Sequence, residues 1–201
     1  IPANYGGFET CIEEIGKRLV LKGHHVTVYC RESYYAENFD KYLGMKRTCL
    51  PNLASKSLDT FSHTLLSAWH SLFKAFDVYM VFNAANSPFI IPLKLFGKKI
   101  AINTDGLEWK RSKWGFCGKS FYKISEKIAC LISNRIVTDC EGMKNYYLDD
   151  HKTDSTVIAY GAPIQHSKTP ELLKRLGLEP DGYFLQITRF EPENYPLLTI
   201  K

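Results

Sequence analysis

The densest group of reactive side chains in this 201-residue sequence lies between positions 105 and 115. Two carboxylates (Asp105, Glu108), three cations (Lys110, Arg111, Lys113) and two tryptophans (Trp109, Trp114) fall within eleven residues. Indole faces stack on sugar rings and cations hold phosphates, so the segment reads as a site for a sugar-bearing or phosphorylated ligand. The structural alternative is that the tryptophans pack inward and the cations are solvated. Asp105 stands nearer than Glu108 to the apolar run Lys99-Ile100-Ala101-Ile102-Asn103, and ligands collect where such strands end, so Asp105 is better placed for chemistry.

A second candidate is Asn4-Tyr5-Gly6-Gly7-Phe8-Glu9-Thr10. Gly6 and Gly7 allow close approach of a ligand to the backbone, and a helix starting behind them aims its free N–H groups at the same point, the outline of a phosphate cradle. An ordinary glycine turn entering a capped helix explains the pair equally well. No Gly-Lys-Ser/Thr follows and the third glycine of G-x-G-x-x-G is missing, so this is neither a P-loop nor a dinucleotide fingerprint. In Asn83-Ala84-Ala85-Asn86-Ser87-Pro88, Asn86 and Ser87 can bind ligand hydroxyls or simply cap a helix. Arg189, just past the apolar run Tyr183-Phe184-Leu185-Gln186-Ile187-Thr188, reads as an anion ligand or a surface ion pair. Tyr160-Gly161-Ala162-Pro163 reads as a structural turn. None of the six histidines completes a triad, and His63 and His70 read as packed side chains.

Hydrophobic residues make up 45% and charged residues 23%, a globular composition that excludes a disordered or collagen-like chain. The net charge is +5, and it is local. Positions 94 to 127 hold nine cations against three acids, +6, which leaves −1 for the rest. One basic face on a near-neutral body points to an anionic partner: a phosphorylated sugar, an anionic lipid headgroup or nucleic acid. A merely solvated basic surface is the alternative. No nucleic-acid-binding motif is present, which makes that class the weakest and leaves no nucleic acid among the expected partners. The six cysteines form no C-x-x-C pair, so they read as buried reduced thiols rather than zinc ligands, and no metal is expected. Without a signal-peptide pattern or a long apolar run, the expected location is cytoplasmic.

The elements that must position these groups alternate. The periodicity predicts helices over 8–22, 62–75, 88–96, 118–133, 141–149 and 170–176, and strands over 26–30, 78–82, 99–103, 135–138, 156–160 and 183–188. Phe8, Ile12, Ile15, Leu19 and Val20 supply the apolar face of the first helix, and Leu65, Leu66, Trp69, Leu72 and Phe73 that of the second. Strand–helix alternation predicts an α/β fold, a Rossmann-like parallel sheet with helices on both faces and ligands at its carboxyl edge. The chain reads as truncated at both ends. Residues 1–162 form one domain whose first strand lies upstream, 163–182 a Pro- and Gly-rich interdomain linker, and 183–201 the start of a second domain.

The order of these motifs resembles family 4 glycosyltransferases. The Gly-Gly loop, the helix and Lys22-Gly23-His24-His25-Val26-Thr27-Val28-Tyr29 are similar to that family's opening. Pro2-Ala3-Asn4-Tyr5-Gly6-Gly7-Phe8-Glu9-Thr10, Lys56-Ser57-Leu58-Asp59-Thr60, Asn86-Ser87-Pro88 and Asp105-Gly106-Leu107-Glu108-Trp109-Lys110-Arg111 resemble a bacterial rhamnosyltransferase-like subgroup of capsule and cell-wall polysaccharide assembly. The resemblance covers essentially the whole chain.

It implies a GT-B fold, two Rossmann-like domains facing across a cleft, of which this chain is the N-terminal, acceptor-side one. It implies transfer of a hexose, rhamnose in this subgroup, from a nucleotide-diphosphate sugar to a lipid-linked or glycan acceptor, with retention and without a metal or other cofactor. Gly6, Gly7, Arg189 and Asn194 would lie at the donor diphosphate, Asn194 standing where many relatives carry lysine. Tyr160-Gly161 matches an Asn-Gly turn of the family. Asp105, with Glu108, would serve the chemistry, Asp105 orienting or deprotonating the acceptor hydroxyl. Asn86, Ser87, Trp109, Lys110 and Arg111 would bind the acceptor, and the 94–127 face would meet the inner face of the cytoplasmic membrane as a peripheral contact. The competing readings are an NAD(P)-dependent Rossmann oxidoreductase, supported by Glu32 at the end of the second strand, and a catalytically silent nucleotide-binding module.

Overall fold

The computed structural model describes every residue except 5, 36–38, 54, 56–57, 105, 163–169, 189, 191–193 and 201. Helix α1 (Gly7–Leu21) leads to strand β1 (Thr27–Arg31), a 3-10 turn (Glu32–Tyr34), β2 (Lys41–Tyr42) and β3 (Met45–Leu50). Then follow α2 (Asp59–Leu72), β4 (Tyr79–Phe82), a 3-10 segment (Ala84–Ile90), α3 (Ile91–Leu95) and β5 (Ile100–Asn103). A short 3-10 turn (Glu108–Lys110), α4 (Phe116–Ile132), β6 (Arg135–Thr138), α5 (Glu141–His151) and β7 (Ser155–Val157) complete the body, with α6 (Pro170–Arg175) and α7 (Pro196–Ile200) beyond it.

The architecture is α/β, as the alternation predicts. Strands β4-β5-β6-β7 form a wholly parallel sheet in that order. Ile100, Ile102 and Ile136 are fully buried in it, and Ala68 and Leu72 of α2, Leu93 of α3, Ala129 and Ile132 of α4 and Tyr147 of α5 pack with them. Such double-sided cover is what an all-parallel sheet requires. Because all four strands run the same way, Phe82, Asn103, Thr138 and Val157 end at one edge, and the loops that follow them gather there.

The first strand belongs elsewhere. β1 pairs in parallel with β3, which pairs antiparallel with β2, in a separate three-stranded sheet around Ile1, Cys30 and Met45. Strands β2 and β3 escape sequence reading because Met-Lys-Arg-Thr-Cys-Leu carries two adjacent cations, one of them, Arg47, turned inward.

Four further expectations are corrected. Residues 183–188 form no strand; Phe184, Leu185 and Ile187 are exposed, and no described strand lies beside them to complete a ladder. The apolar stripe of α2 is largely not the face that packs: α2 buries His63, Ala68, Ser71 and Leu72 while Leu65, Leu66, Trp69 and Phe73 face outward, whereas on α1 Phe8, Ile12 and Val20 of the expected face do pack, beside Gly16 on Met45, and Ile15 and Leu19 stay exposed. Small residues let a helix approach a sheet closely, and here that contact outweighs the size of the side chains left outside. All six thiols are free, but only Cys30 is buried, and Cys117 and Cys140 are exposed. The Pro88 helix start is displaced too: Pro88 lies inside the 3-10 segment and the α-helix begins at Ile91.

Candidate functional site

The first turn of α1 sits at the carboxyl edge, where the Phe8 ring packs on Phe82 at 5.5 Å between centroids, at the end of β4. Gly6 is extended (φ −117°, ψ 157°), and a Cβ built on Gly6 or Gly7 would meet nothing within 4 Å. Neither glycine is therefore required by the packing of the protein itself. Gly106 and Gly161, in the loops after β5 and β7, are equally unobstructed. The first intrahelical bond of α1 runs from Thr10 N–H to Gly6 O, so the amides of Gly7 and Phe8 precede the helical ladder. The amides before them are already taken. The Glu9 carboxylate accepts from Asn4 N–H at 2.8 Å and Gly6 N–H at 3.4 Å, and Glu13 accepts from Ala3 N–H at 2.7 Å. Two internal carboxylates thus organise the loop that enters the helix.

Along the same edge, Asn83 adopts a left-handed conformation (φ 71°) and its side chain accepts from Ala85 N–H. Such strain in a non-glycine residue persists only where the surroundings over-determine it. Asn86 donates to Phe82 O at 2.8 Å, and its amide oxygen lies 3.0 Å from the Thr64 hydroxyl of α2. Ser87 is fully buried and donates to Ser125 O of α4, which places it under the rim rather than on it. Asn103 closes β5, and its amide oxygen accepts from the Tyr160 hydroxyl at 2.9 Å, so the Tyr160-Gly161 turn is tied to the loop that carries position 105. β4 and β5 pair from Tyr79↔Ile100 to Phe82↔Asn103, which sets the Gly6–Gly7 turn and the 104–111 loop on the same edge of the sheet.

In that loop Glu108 is a hub. It accepts from Arg111 at 2.7 Å and from the Trp114 indole at 3.3 Å, with Lys113 at 3.6 Å. Burial by itself would raise its pKa, but the hydrogen bonds from Arg111 and Trp114 and the charge of Lys113 and Arg111 prevail and hold it below the ordinary carboxylate range. Its neighbours therefore favour Glu108 as an anion, and it neutralises part of the basic face. Trp109 is half-buried, its indole close to the Tyr146 hydroxyl, and Lys123 and Lys110 lie over its ring at 4.3 and 5.3 Å from the centroid. Asn194 accepts at its backbone carbonyl from Gln186. Positions 105 and 189, to which the sequence assigns Asp105 and Arg189 roles at the site, lie outside the described residues.

A cluster that sequence reading missed joins the two sheets. Arg31, at the end of β1, pairs with Asp59 at 3.4 Å and donates to the Thr60 hydroxyl at 2.9 Å. Asp59 also accepts from Tyr34 and Asn52. Beside them, His63 is buried with Nε2 unpartnered. Burial pushes its pKa below the usual histidine value, against the backbone of Cys30 and alongside Arg31, with Asp59 opposing, so it is a neutral imidazole near pH 7. Asp59-Thr60 belongs to a motif named above for its resemblance, but only folding brings Arg31 to it. Together these groups offer guanidinium, carboxylate, hydroxyl and amide functions, the inventory that recognises a polyhydroxylated ligand.

Among the described residues no group of three or more His, Cys, Asp or Glu is arranged to hold a metal ion. A family model described as a domain of unknown function, DUF1972, matches residues 1–163. That domain is found in glycosyltransferase-associated proteins and resembles the N-terminal domain of family 4 enzymes. No curated protein matches the chain.

Proposed function

We propose that this chain, which belongs to the DUF1972 family over residues 1–163, is the acceptor-side half of a GT-B glycosyltransferase. On this reading it moves a hexose, rhamnose, from a nucleotide-diphosphate sugar to a glycan or lipid-linked acceptor with retention of configuration. The observation that carries it is the bare edge itself. A Cβ on Gly6, Gly7, Gly106 or Gly161 along it would meet nothing, and a helix N-terminus and the Arg31–Asp59–Thr60 group of polar side chains lie in the same protein. The choice of rhamnose rests on the likeness of the motifs alone.

The developing charge in such a transfer sits on the leaving diphosphate. The Gly7 and Phe8 amides would face that charge, and Arg189 and Asn194 are the further donors that the resemblance assigns to it. Asp105 orients the acceptor hydroxyl and takes up its proton as the new glycosidic bond forms. Glu108 acts through others, holding Arg111 and Lys113 in place. Trp109 and Lys110 receive the acceptor, and Asn86 fixes the loop beside it.

The test is ligand-observed NMR on the complete protein with thymidine- and uridine-diphosphate sugars and with NADH. The expected result is saturation transfer to a nucleotide-diphosphate sugar, abolished by Gly7→Val, and none to NADH. Binding of NADH in place of the nucleotide sugars would assign the edge to an oxidoreductase. A second arm is kinetic: Asp105→Asn should cut turnover at least a hundredfold, on the order expected for general base catalysis, with donor affinity unchanged. Equal turnover removes Asp105 from the mechanism.

A further inference from the structure

Helix α5 touches the loop after β5 at two points, through adjacent side chains. The Tyr147 hydroxyl meets the hydroxyl of Thr104, directly after the end of β5, and the Tyr146 hydroxyl lies close to the buried indole N–H of Trp109 in the 3-10 turn. Thr104 and Tyr147 are both fully buried, so packing fixes that end of the loop. Polar groups hold the other end. Tyr146 donates to Glu126 of α4 at 2.8 Å. His151, the last residue of α5, brings Nε2 to 3.4 Å from the Tyr146 hydroxyl and 3.6 Å from the Glu126 carboxylate. The His151 ring lies against the rings of Tyr146 and Tyr147, at 5.5 and 5.4 Å between centroids.

An indole N–H only donates, and the Tyr146 proton is already given to Glu126, so the phenol oxygen is the acceptor that Trp109 meets. The connection thus runs from the loop through Tyr146 to a carboxyl group that is 4% exposed. A buried carboxylate is costly unless it is paired and hydrogen-bonded, and apolar side chains would join α4 to α5 at least as firmly. What the polar triad adds is dependence on a proton. As a carboxylate, Glu126 accepts from Tyr146 and leaves the phenol oxygen to Trp109. Once protonated, it is itself a donor and competes with Trp109 for that oxygen. The other charged or titratable groups around the triad are Lys123 and Cys130 on α4, Tyr147 and Asp150 on α5, and Lys110 over the Trp109 ring. Lys123 favours the charged carboxyl and also stands 4.3 Å from the centroid of the Trp109 ring.

We propose that Tyr146, anchored by Glu126 and His151, is a positioning residue for Trp109, and that a proton taken up by this buried pair loosens Trp109 and the loop that carries position 105. This role rests on the transferase reading in one respect, that Trp109 then has an acceptor to receive; the clamp itself is tested without ligand or activity.

The experiment is proton–nitrogen NMR of the protein across neutral to acid pH, with the Trp109 indole resonance assigned by its loss in Trp109→Phe. That resonance should move in one transition, its exchange with solvent quickening on the acid side. Tyr146→Phe keeps the ring against Tyr147 and His151; it should abolish the transition and speed exchange of the indole N–H about tenfold, as expected for one lost hydrogen bond. Glu126→Gln/His151→Gln keeps hydrogen-bonding groups at both positions and no titratable one; exchange should stay slow and the resonance should no longer move with pH. Unchanged exchange in Tyr146→Phe, or a transition that survives in the double variant, overturns the proposal. The dispersion of the backbone amide resonances confirms that each variant folds. Binding of nucleotide-diphosphate sugars, which tests the transferase reading, succeeds or fails independently of these resonances.

Discussion

The Glu9 carboxylate accepts the Asn4 amide hydrogen at 2.8 Å and reaches the Gly6 amide at 3.4 Å, so an acid in the first turn of α1 holds the chain that enters it. A ligand at this helix start meets a loop already braced by the protein's own anion. Glu9→Ala removes the acceptor for the Asn4 and Gly6 amides and should cost about 1 kcal/mol in urea denaturation. Amide exchange at Asn4 and Gly6 should accelerate while that at Thr10, bonded to Gly6 O, changes little. Unchanged exchange at Asn4 and Gly6 would show that the carboxylate does not brace the loop.

Gly16 and Gly7 predict opposite outcomes for the same substitution. A Cβ at Gly16 would stand 2.2 Å from the Met45 sulfur, and Met45 is fully buried, so Gly16→Ala should destabilise by about 1–3 kcal/mol. Met45→Val in the same protein should recover part of that loss, since the pair shares one space. Gly7→Ala meets nothing and should leave stability unchanged or raise it by about 0.5 kcal/mol. Thermal unfolding of the variants separates a glycine that the fold requires from one that it leaves bare.

Glu126 makes the stability of the body depend on pH. Burial raises its pKa above the ordinary 4.5, with the Tyr146 hydrogen bond and His151 opposing. A carboxyl whose folded pKa is raised binds its proton more tightly in the folded protein. Its contribution is therefore present below about pH 4.5 and is lost as pH rises through the folded value. Glu126→Gln keeps an acceptor for Tyr146 and carries no charge. Its stability, followed by urea denaturation between acid and neutral pH, should fall less steeply than that of the parent. Parallel curves would place the dependence elsewhere.

Arg47 is 4% exposed, donates once, to Phe39 O at 2.9 Å, and lies between the Tyr35 and Phe39 rings, with Nε and Nη2 unpartnered. No carboxylate offsets its burial among the described residues. Arg47→Met retains most of the apolar stem and removes the charge, and should shift stability by no more than about 1 kcal/mol in either direction. A much larger loss in denaturant titration would mean that the aromatic sandwich stabilises the guanidinium more than desolvation penalises it.

Local patterns in the sequence determined the alternation of elements, the parallel sheet they imply and the edge where its loops collect. Short β-branched runs such as Ile100 to Asn103 and helical spacing such as that of α4 act within a few residues, and need no distant partner to be read. The division into two sheets, the burial of Ser87 and the meeting of Arg31 with Asp59 were decided only by tertiary structure. Each depends on which of several chemically adequate partners arrives within about 3–4 Å, a distance set by packing between segments far apart in the chain. The same reason explains why the apolar stripe of α2 misled: periodicity marks a stripe, but packing buried His63, Ala68, Ser71 and Leu72 and left Leu65, Leu66, Trp69 and Phe73 outside.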